Sequence, residues 1–214
     1  MGVDFPDGPV TVVDHPLAAA RLRLLRDEST STTDFRRAMA DLSDFLVYEA
    51  TRDLGLREVR VTTPMTDTVA HEIAEPPLVV PILRAGLGML HATQRVLPDA
   101  PVGFLGLRRD EETLRPDAYM STVPEDLAGR RCLVLDPMLA TGGSMIDALE
   151  RLVEANAGPM VAICTLVAPE GLAAVAERGF DVRVVTAAID DHLNDVGFIV
   201  PGLGDAGDRQ FGVA

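Results

Sequence analysis

The run Leu133-Val-Leu-Asp-Pro-Met-Leu-Ala-Thr-Gly-Gly143, followed at once by Ser144, constrains this chain more than any other. An apolar stretch ends at Asp136, a short loop carries Thr141, Gly142 and Gly143, and a helical pattern begins near Ser144. A buried strand, a glycine-containing turn and a helix N-terminus together favour an anion, because free backbone N–H groups and the helix dipole both point at it. Asp136 adds a carboxylate at the strand's C-terminal end, where it can accept hydrogen bonds from sugar hydroxyls. The combination points to a phosphorylated ribose rather than to a triphosphate tail. A lone Thr-Gly-Gly before a helix also suits an ordinary turn; the preceding strand and Asp136 set this one apart.

The surrounding sequence alternates between two periods. Strands are predicted at 78–83, 102–107, 132–135, 160–168 and 182–188. Between them lie helices at 85–97, 144–155 and 171–178. Near-continuous apolar strands separated by helices indicate an α/β domain with a mostly parallel central sheet covered on both faces. Ligands in such sheets bind beyond the strands' carboxyl ends, and Arg84, Arg109 and Asp136 all fall at or just after such ends. Upstream, Asp14-His15-Pro16 reads as a helix start with Asp14 near the cap, and Ser31-Thr32-Thr33-Asp34 starts a second helix. These two helices precede any convincing buried strand, so a cover or an oligomer surface is expected of them. The polar segment from Arg108 to Pro124 reads as a projecting hairpin or flap.

With 214 residues and 47% hydrophobic content, one domain with a substantial core is expected. No apolar run approaches the roughly 20 residues of a membrane span. Met1 to Pro16 lacks the pattern of a secretory signal, so the expected compartment is the cytoplasm. The net charge is −14, which argues against a nucleic-acid or anionic-membrane partner. All 19 basic residues are Arg. The absence of Lys excludes Schiff-base chemistry and a phosphate-loop lysine. Cys132 and Cys164 sit in apolar runs and read as buried, inert thiols rather than as a disulfide or metal site. His15, His71, His91 and His192 are scattered and read as structural. Asp110-Glu111-Glu112 suits either a solvated face or a functional part of the flap.

Two further segments bear chemistry. In Val80-Pro-Ile-Leu-Arg-Ala-Gly-Leu-Gly-Met89 a buried strand runs into Arg84, while Gly86 and Gly88 keep the backbone accessible. An arginine there can grip a diphosphate bidentately, or it can simply pair with a surface acid. Gly197-Phe-Ile-Val-Pro-Gly-Leu-Gly-Asp-Ala-Gly-Asp208 holds too much glycine for regular structure. Its exposed N–H and C=O groups could read a planar heterocycle.

These segments, in this order, resemble the uracil phosphoribosyltransferases of the type I phosphoribosyltransferase superfamily. The resemblance runs from about His15 to Gly212. It includes Tyr48-Glu-Ala-Thr51, Val80 to Met89, Arg109-Asp-Glu-Glu-Thr113, Asp136 to Ser144, Ala168-Pro-Glu-Gly171, Leu193-Asn194 and Pro201 to Asp208. The phosphoribosyl loop marks only the superfamily; Pro-Gly-Leu-Gly-Asp-Ala-Gly-Asp is specific to the uracil enzymes.

The resemblance implies a type I phosphoribosyltransferase fold in a single domain, 1–214. It would have N-terminal helices at 1–55, a flap hairpin at 104–124 and a uracil-binding hood at 190–214. It implies transfer of ribose 5-phosphate from 5-phosphoribosyl 1-diphosphate (PRPP) to uracil, giving UMP and diphosphate in pyrimidine salvage. Asp136 would accept the ribose hydroxyls. Pro137, Met138, Leu139, Ala140, Thr141, Gly142, Gly143 and Ser144 would form the PRPP loop, the last five holding the 5′-phosphate. Arg84 would contact the diphosphate, and Arg109 would reach it from the flap. Ile199, Gly204 and Ala206 would read the uracil edge through backbone atoms, with Asp205 between base and donor. The implied cofactor is Mg²⁺, held by the donor and water rather than directly by the protein. A homodimer or higher homo-oligomer is implied, helped by apolar surface expected around Leu87 to Leu90, and so is a GTP effector, as in some relatives.

Three positions depart from the family pattern: Leu107 and Phe198 stand where Tyr is common, and Thr122 where a basic residue is common. Two other readings compete, a phosphoribosyltransferase for another base and a PRPP-sensing regulator that binds nucleic acid. The acidic charge and the complete uracil loop argue against the regulator.

Overall fold

A computed structural model describes residues 2–5, 8–109 and 116–212. The strands are β1 (Gly2–Phe5), β2 (Gly8–Val12), β3 (Leu56–Thr62), β4 (Asp67–Ile73), β5 (Leu78–Leu83), β6 (Leu105–Arg109), β7 (Pro116–Ser121), β8 (Cys132–Leu135), β9 (Met138–Leu139), β10 (Met160–Val167), β11 (Val182–Ile189), β12 (His192–Leu193) and β13 (Ile199–Val200). The helices are α1 (Pro16–Arg26), α2 (Thr32–Ala50), α3 (Leu87–Val96), α4 (Gly143–Glu154), α5 (Pro169–Ala176) and α6 (Ala206–Phe211).

The main sheet runs β1-β2-β11-β10-β8-β5-β6-β7, with β9 extending the edge of β10. Every pairing from β2 to β6 is parallel; β1 and β7 close the two ends antiparallel. The central strands alternate as a two-sided sheet requires. Leu133 and Leu135 pack with Phe35, Met39, Leu42 and Leu46 of α2, whereas Cys132 and Val134 pack with Met145, Leu149 and Leu152 of α4. Burying a leucine fully contributes about 1.5–3 kcal/mol, so these two layers hold the sheet between its helices.

The α/β class and the central strand and helix positions agree with the sequence reading, and four details do not. First, β2 precedes the helices and enters the main sheet beside β11, with Val10 buried. It is a five-residue strand containing Pro9, too short to show a period. Second, His15, not Asp14, caps α1: its Nδ1 accepts the Leu17 N–H at 3.1 Å. Third, β3 and β4 form a separate two-stranded hairpin that no apolar alternation announced, because almost every residue of it is exposed and none is buried. Fourth, Met89 and Leu90 are buried within the chain, so only Leu87 of that expected apolar surface is exposed.

The base of the flap is an antiparallel β6–β7 pair. Thr122 fastens its near end: its hydroxyl accepts the Phe104 N–H at 2.9 Å, and its own N–H donates to the Phe104 carbonyl. Asp110, Glu111, Glu112 and Thr113 lie outside the described residues.

Candidate active site

The site is built where three neighbouring parallel strands end. Register pairs Pro81 of β5 with Leu135 of β8, and Leu83 of β5 with Gly106 of β6. Arg84 and Asp136 therefore follow directly on adjacent strand ends, and Arg109 closes the third strand. The side chain of Arg109 lies outside the described residues. The Leu83–Arg84 and Val200–Pro201 peptide bonds are cis.

After Asp136 the chain does not go straight to the helix. Met138 and Leu139 form β9 beside Leu166 and Val167, and the Pro137 carbonyl accepts the Thr165 and Leu166 N–H groups at 2.9 and 3.0 Å. Leu139 is buried, while Met138 faces the cleft. The loop then reaches Gly142 at φ +85°, in the left-handed region glycine tolerates, and α4 begins. No side chain caps α4 and its first turn has no acid, so its leading N–H groups are left for an anion. Gly171 of α5 permits this loop its position: a Cβ there would lie 2.3 Å from the Ala140 carbonyl oxygen.

The opposite wall is the hood. Asn194 shapes its entry turn, its side chain accepting the Val196 and Phe198 N–H groups at 3.1 and 2.9 Å. Glu170 docks the turn onto α5 by accepting the Leu193 N–H at 2.9 Å. The short β12–β13 pair carries Ile199 back to the sheet edge. Asp205 then caps α6, its Oδ1 accepting the Asp208 N–H at 2.8 Å.

These walls enclose a cleft of about 250 Å³ lined by Ala85, Asp136, Met138, Ala140, Gly197, Phe198, Ile199, Gly204, Asp205, Ala206 and Gly207. Seven of the residues singled out from sequence thus meet in one space, and Thr141 lies beside the Gly197 turn. The ring of Phe198 lines it too, without the phenolic hydroxyl. Arg84 stands at the edge, half exposed, its guanidinium 3.9 Å from the Asp208 carboxylate. It does have an acid partner, and that acid belongs to the hood. A larger cavity of about 680 Å³ lies between β2, α1 and α2, but its one arginine, Arg52, is already bound to Glu49. The α1 start that borders it is already capped by His15, whose Nδ1 accepts the Leu17 N–H, and the smaller cleft is the chemical site.

Burial pushes the Asp136 carboxyl up to about 7, against the opposing pull of the Met138 N–H at 3.4 Å. Cys164 lies close enough to feel it: burial first, and then the Asp136 charge, hold that thiol well above its usual value. Both cysteines are free and buried. Among the described residues no cluster of three or more His, Cys, Asp or Glu gathers. Two carboxylates, Asp136 and Asp205, face the cleft. That donor set suits a hard cation that keeps its waters and binds mainly through a substrate's phosphates.

Sequence reasoning missed the residues that hold the hood in place. Asp190, buried at the end of β11, binds Arg26 of α1; Arg209 donates to the carbonyls of Leu25, Asp27 and Leu203 and stacks over Phe35. One signal was available: Asp190 ends an apolar strand just as Asp136 does.

A parallel sheet with a carboxylate at a central strand end, an uncapped helix start and a backbone hood defines the type I phosphoribosyltransferase class. An adenine phosphoribosyltransferase of Trypanosoma brucei shares that fold with a TM-score of 0.58 at 13% identity, over 89% of this chain and 87% of its own. Residues 12–213 match the uracil phosphoribosyltransferase family. A uracil phosphoribosyltransferase of Beutenbergia cavernae is 55% identical over 95% of this chain and 99% of its own. The AQ2163 protein of Aquifex aeolicus superposes with a TM-score of 0.90 at 39% identity, over 96% of this chain and 99% of its own. The chain belongs to the uracil phosphoribosyltransferase family.

Proposed function

We propose that this protein makes UMP and diphosphate from uracil and PRPP, with the 250 Å³ cleft as its active site. The observation that carries the reading is the facing of Asp136, Met138 and Ala140, on the wall that leads into α4, by Ile199, Gly204, Asp205 and Ala206 on the other. One wall suits a ribose 5-phosphate and the other a base.

Breaking the bond from C1′ to the diphosphate oxygen leaves positive charge on the ribose ring and negative charge on the leaving group. Asp136 and Asp205 lie on the ring side; Arg84, joined by Arg109 from the flap, receives the diphosphate. Positioned charges of this kind are each worth roughly 3–4 kcal/mol, by analogy with an oxyanion-hole donor. No protein nucleophile is required. Thr141, Gly142, Gly143 and Ser144 hold the 5′-phosphate at the helix start, with Ala140 completing the loop. Mg²⁺ bound with the donor would neutralise diphosphate charge, and Asp136 and Asp205 are the carboxylates able to reach its water shell. The flap hairpin excludes water over the donor. Family resemblance brings a homodimer and GTP activation into the same proposal.

The test is UMP formation from radiolabelled uracil with PRPP and Mg²⁺, with and without GTP, read beside a native mass. Adenine, hypoxanthine and uracil are offered in competition, and consumption of uracil alone is expected. Turnover of a purine instead, or tight nucleic-acid binding without turnover, sinks the reading. Arg84→Ala should abolish UMP formation while leaving the melting temperature unchanged, because the side chain is exposed and its one acid partner is 3.9 Å away.

The raised Asp136 carboxyl predicts a pH dependence. PRPP hydroxyls donate to the ionised form, and the free group is mostly protonated below about 7. Affinity for PRPP, taken relative to Asp136→Asn so that the donor's own titration cancels, should rise about tenfold per pH unit up to 7 and then flatten. Calorimetry at pH 6 in two buffers should detect the proton released. An unchanging ratio from pH 5.5 to 8 contradicts this role for Asp136.

A further inference from the structure

The loop that faces the base has little regular structure, yet one of its residues, Gly202, is held through both its N–H and its carbonyl. Asp190 Oδ2 accepts the Gly202 N–H at 2.8 Å and an Arg26 N–H at 2.8 Å. The same Arg26 nitrogen donates to the Gly202 carbonyl at 2.9 Å, and the second one binds Asp190 Oδ1. The Asp190 side chain is 3% exposed. Gly202 itself sits at φ +62°, with no room for a Cβ, which would lie 2.1 Å from the Ile199 carbonyl oxygen. Next in the chain, the Leu203 carbonyl accepts from Arg209 at 2.9 Å. Two successive carbonyls are thereby committed to guanidinium groups, and the next three residues, Gly204, Asp205 and Ala206, line the cleft.

A buried ion pair is poor evidence of stability, since apolar replacements often serve as well. What an arginine fork adds is fixed orientation. Orientation matters here because backbone reading depends on where donors and acceptors lie. Rotating a peptide by half a turn exchanges a C=O for an N–H, which is the difference between recognising uracil and recognising cytosine at the 3 and 4 positions. Resting on the reading of this loop as the base-recognition element, we infer that Arg26 and Asp190 are positioning residues that set uracil affinity and specificity, although neither lines the cleft.

Arg26→Lys and Asp190→Asn test this. Lysine keeps the charge but, as a single point of donation, cannot hold both the carboxylate and the Gly202 carbonyl; asparagine keeps the shape and loses the charge. Each variant should raise the KM for uracil about tenfold or more, for loss of buried charge-assisted bonds, and narrow the uracil-to-cytosine ratio of kcat/KM. The calorimetric Kd for PRPP alone should move less than about threefold. Equal changes in uracil KM and PRPP Kd, or no change in either, would overturn the inference. Amide hydrogen exchange provides an arm independent of catalysis. The Gly202 amide should exchange at least about tenfold faster in Asp190→Asn than in wild type, with residues 143–150 unaffected. Equal exchange rates overturn the clamp itself. A wild-type protein that makes no UMP but shows the exchange difference overturns only the functional reading.

Discussion

Asp136→Asn is expected to leave the protein folded and to slow UMP formation by about a hundredfold to a thousandfold, the loss typical of removing one preorganised electrostatic group. The substitution is close to isosteric, and the native carboxyl is already destabilised by burial, which has pushed it up to about 7. Asp136 is half-buried at the cleft and pairs with no cation among the described residues, so removing its charge costs the fold little. Catalysis loses the negative charge that faces the developing positive ring, together with an acceptor for the ribose hydroxyls. The check has two parts, kcat with saturating substrates and the thermal melting temperature. Full activity would remove Asp136 from the mechanism. A collapse of melting temperature would mean that its role is structural.

The second large effect is expected at a residue that touches no substrate. Gly86 has an ordinary helical backbone, φ −62°, so space rather than conformation demands glycine. A Cβ there would lie 2.3 Å from the Leu135 carbonyl oxygen, 2.7 Å from the Ile82 carbonyl oxygen and 2.9 Å from the Ile82 nitrogen. All three are backbone atoms of β5 and β8, the strands that lead into Arg84 and Asp136, and none can swing aside. Gly86→Ala should therefore cost about 1–3 kcal/mol by overpacking, a fall of roughly 2–4 °C in melting temperature per kcal/mol for a domain of this size. It should also separate Arg84 from Asp136, and misplacement by about 1 Å can cost about a hundredfold in rate. Gly55→Ala is the control: its nearest neighbour is the Ala74 Cβ at 4.0 Å, and neither stability nor kcat/KM should change. A Gly86→Ala enzyme indistinguishable from that control would refute this account of how the two halves of the donor site are held together.

How far the site was legible follows from where its information lies. Asp136, the α4 start and the glycine-rich hood each occupy a short continuous stretch whose residue types state their chemistry. The β5 and β8 strands were legible for the same reason, being unbroken apolar runs. The β3–β4 hairpin was not, because neither face is buried and no period of two is imposed on its side chains. β2 escaped because five residues are too few to show a period, and its burial comes from a β11 strand more than 160 residues away in sequence.

By itself the sequence determined that a parallel α/β sheet would present a phosphate-binding helix start, a sugar-facing carboxylate and a backbone-rich loop. These are local properties of apolar period, glycine content and strand-end chemistry. Only the tertiary structure decided that the loop closes over Asp136 to form one cleft, that Arg84 meets Asp208 of the hood, and that Arg26 and Asp190, 164 residues apart, grip Gly202 by its N–H and its carbonyl. An arginine at the end of a helix and an aspartate at the end of a strand carry no mark of each other. Their pairing arises because packing α1 against the sheet removes water from both, and a charge buried there is stable only beside its partner.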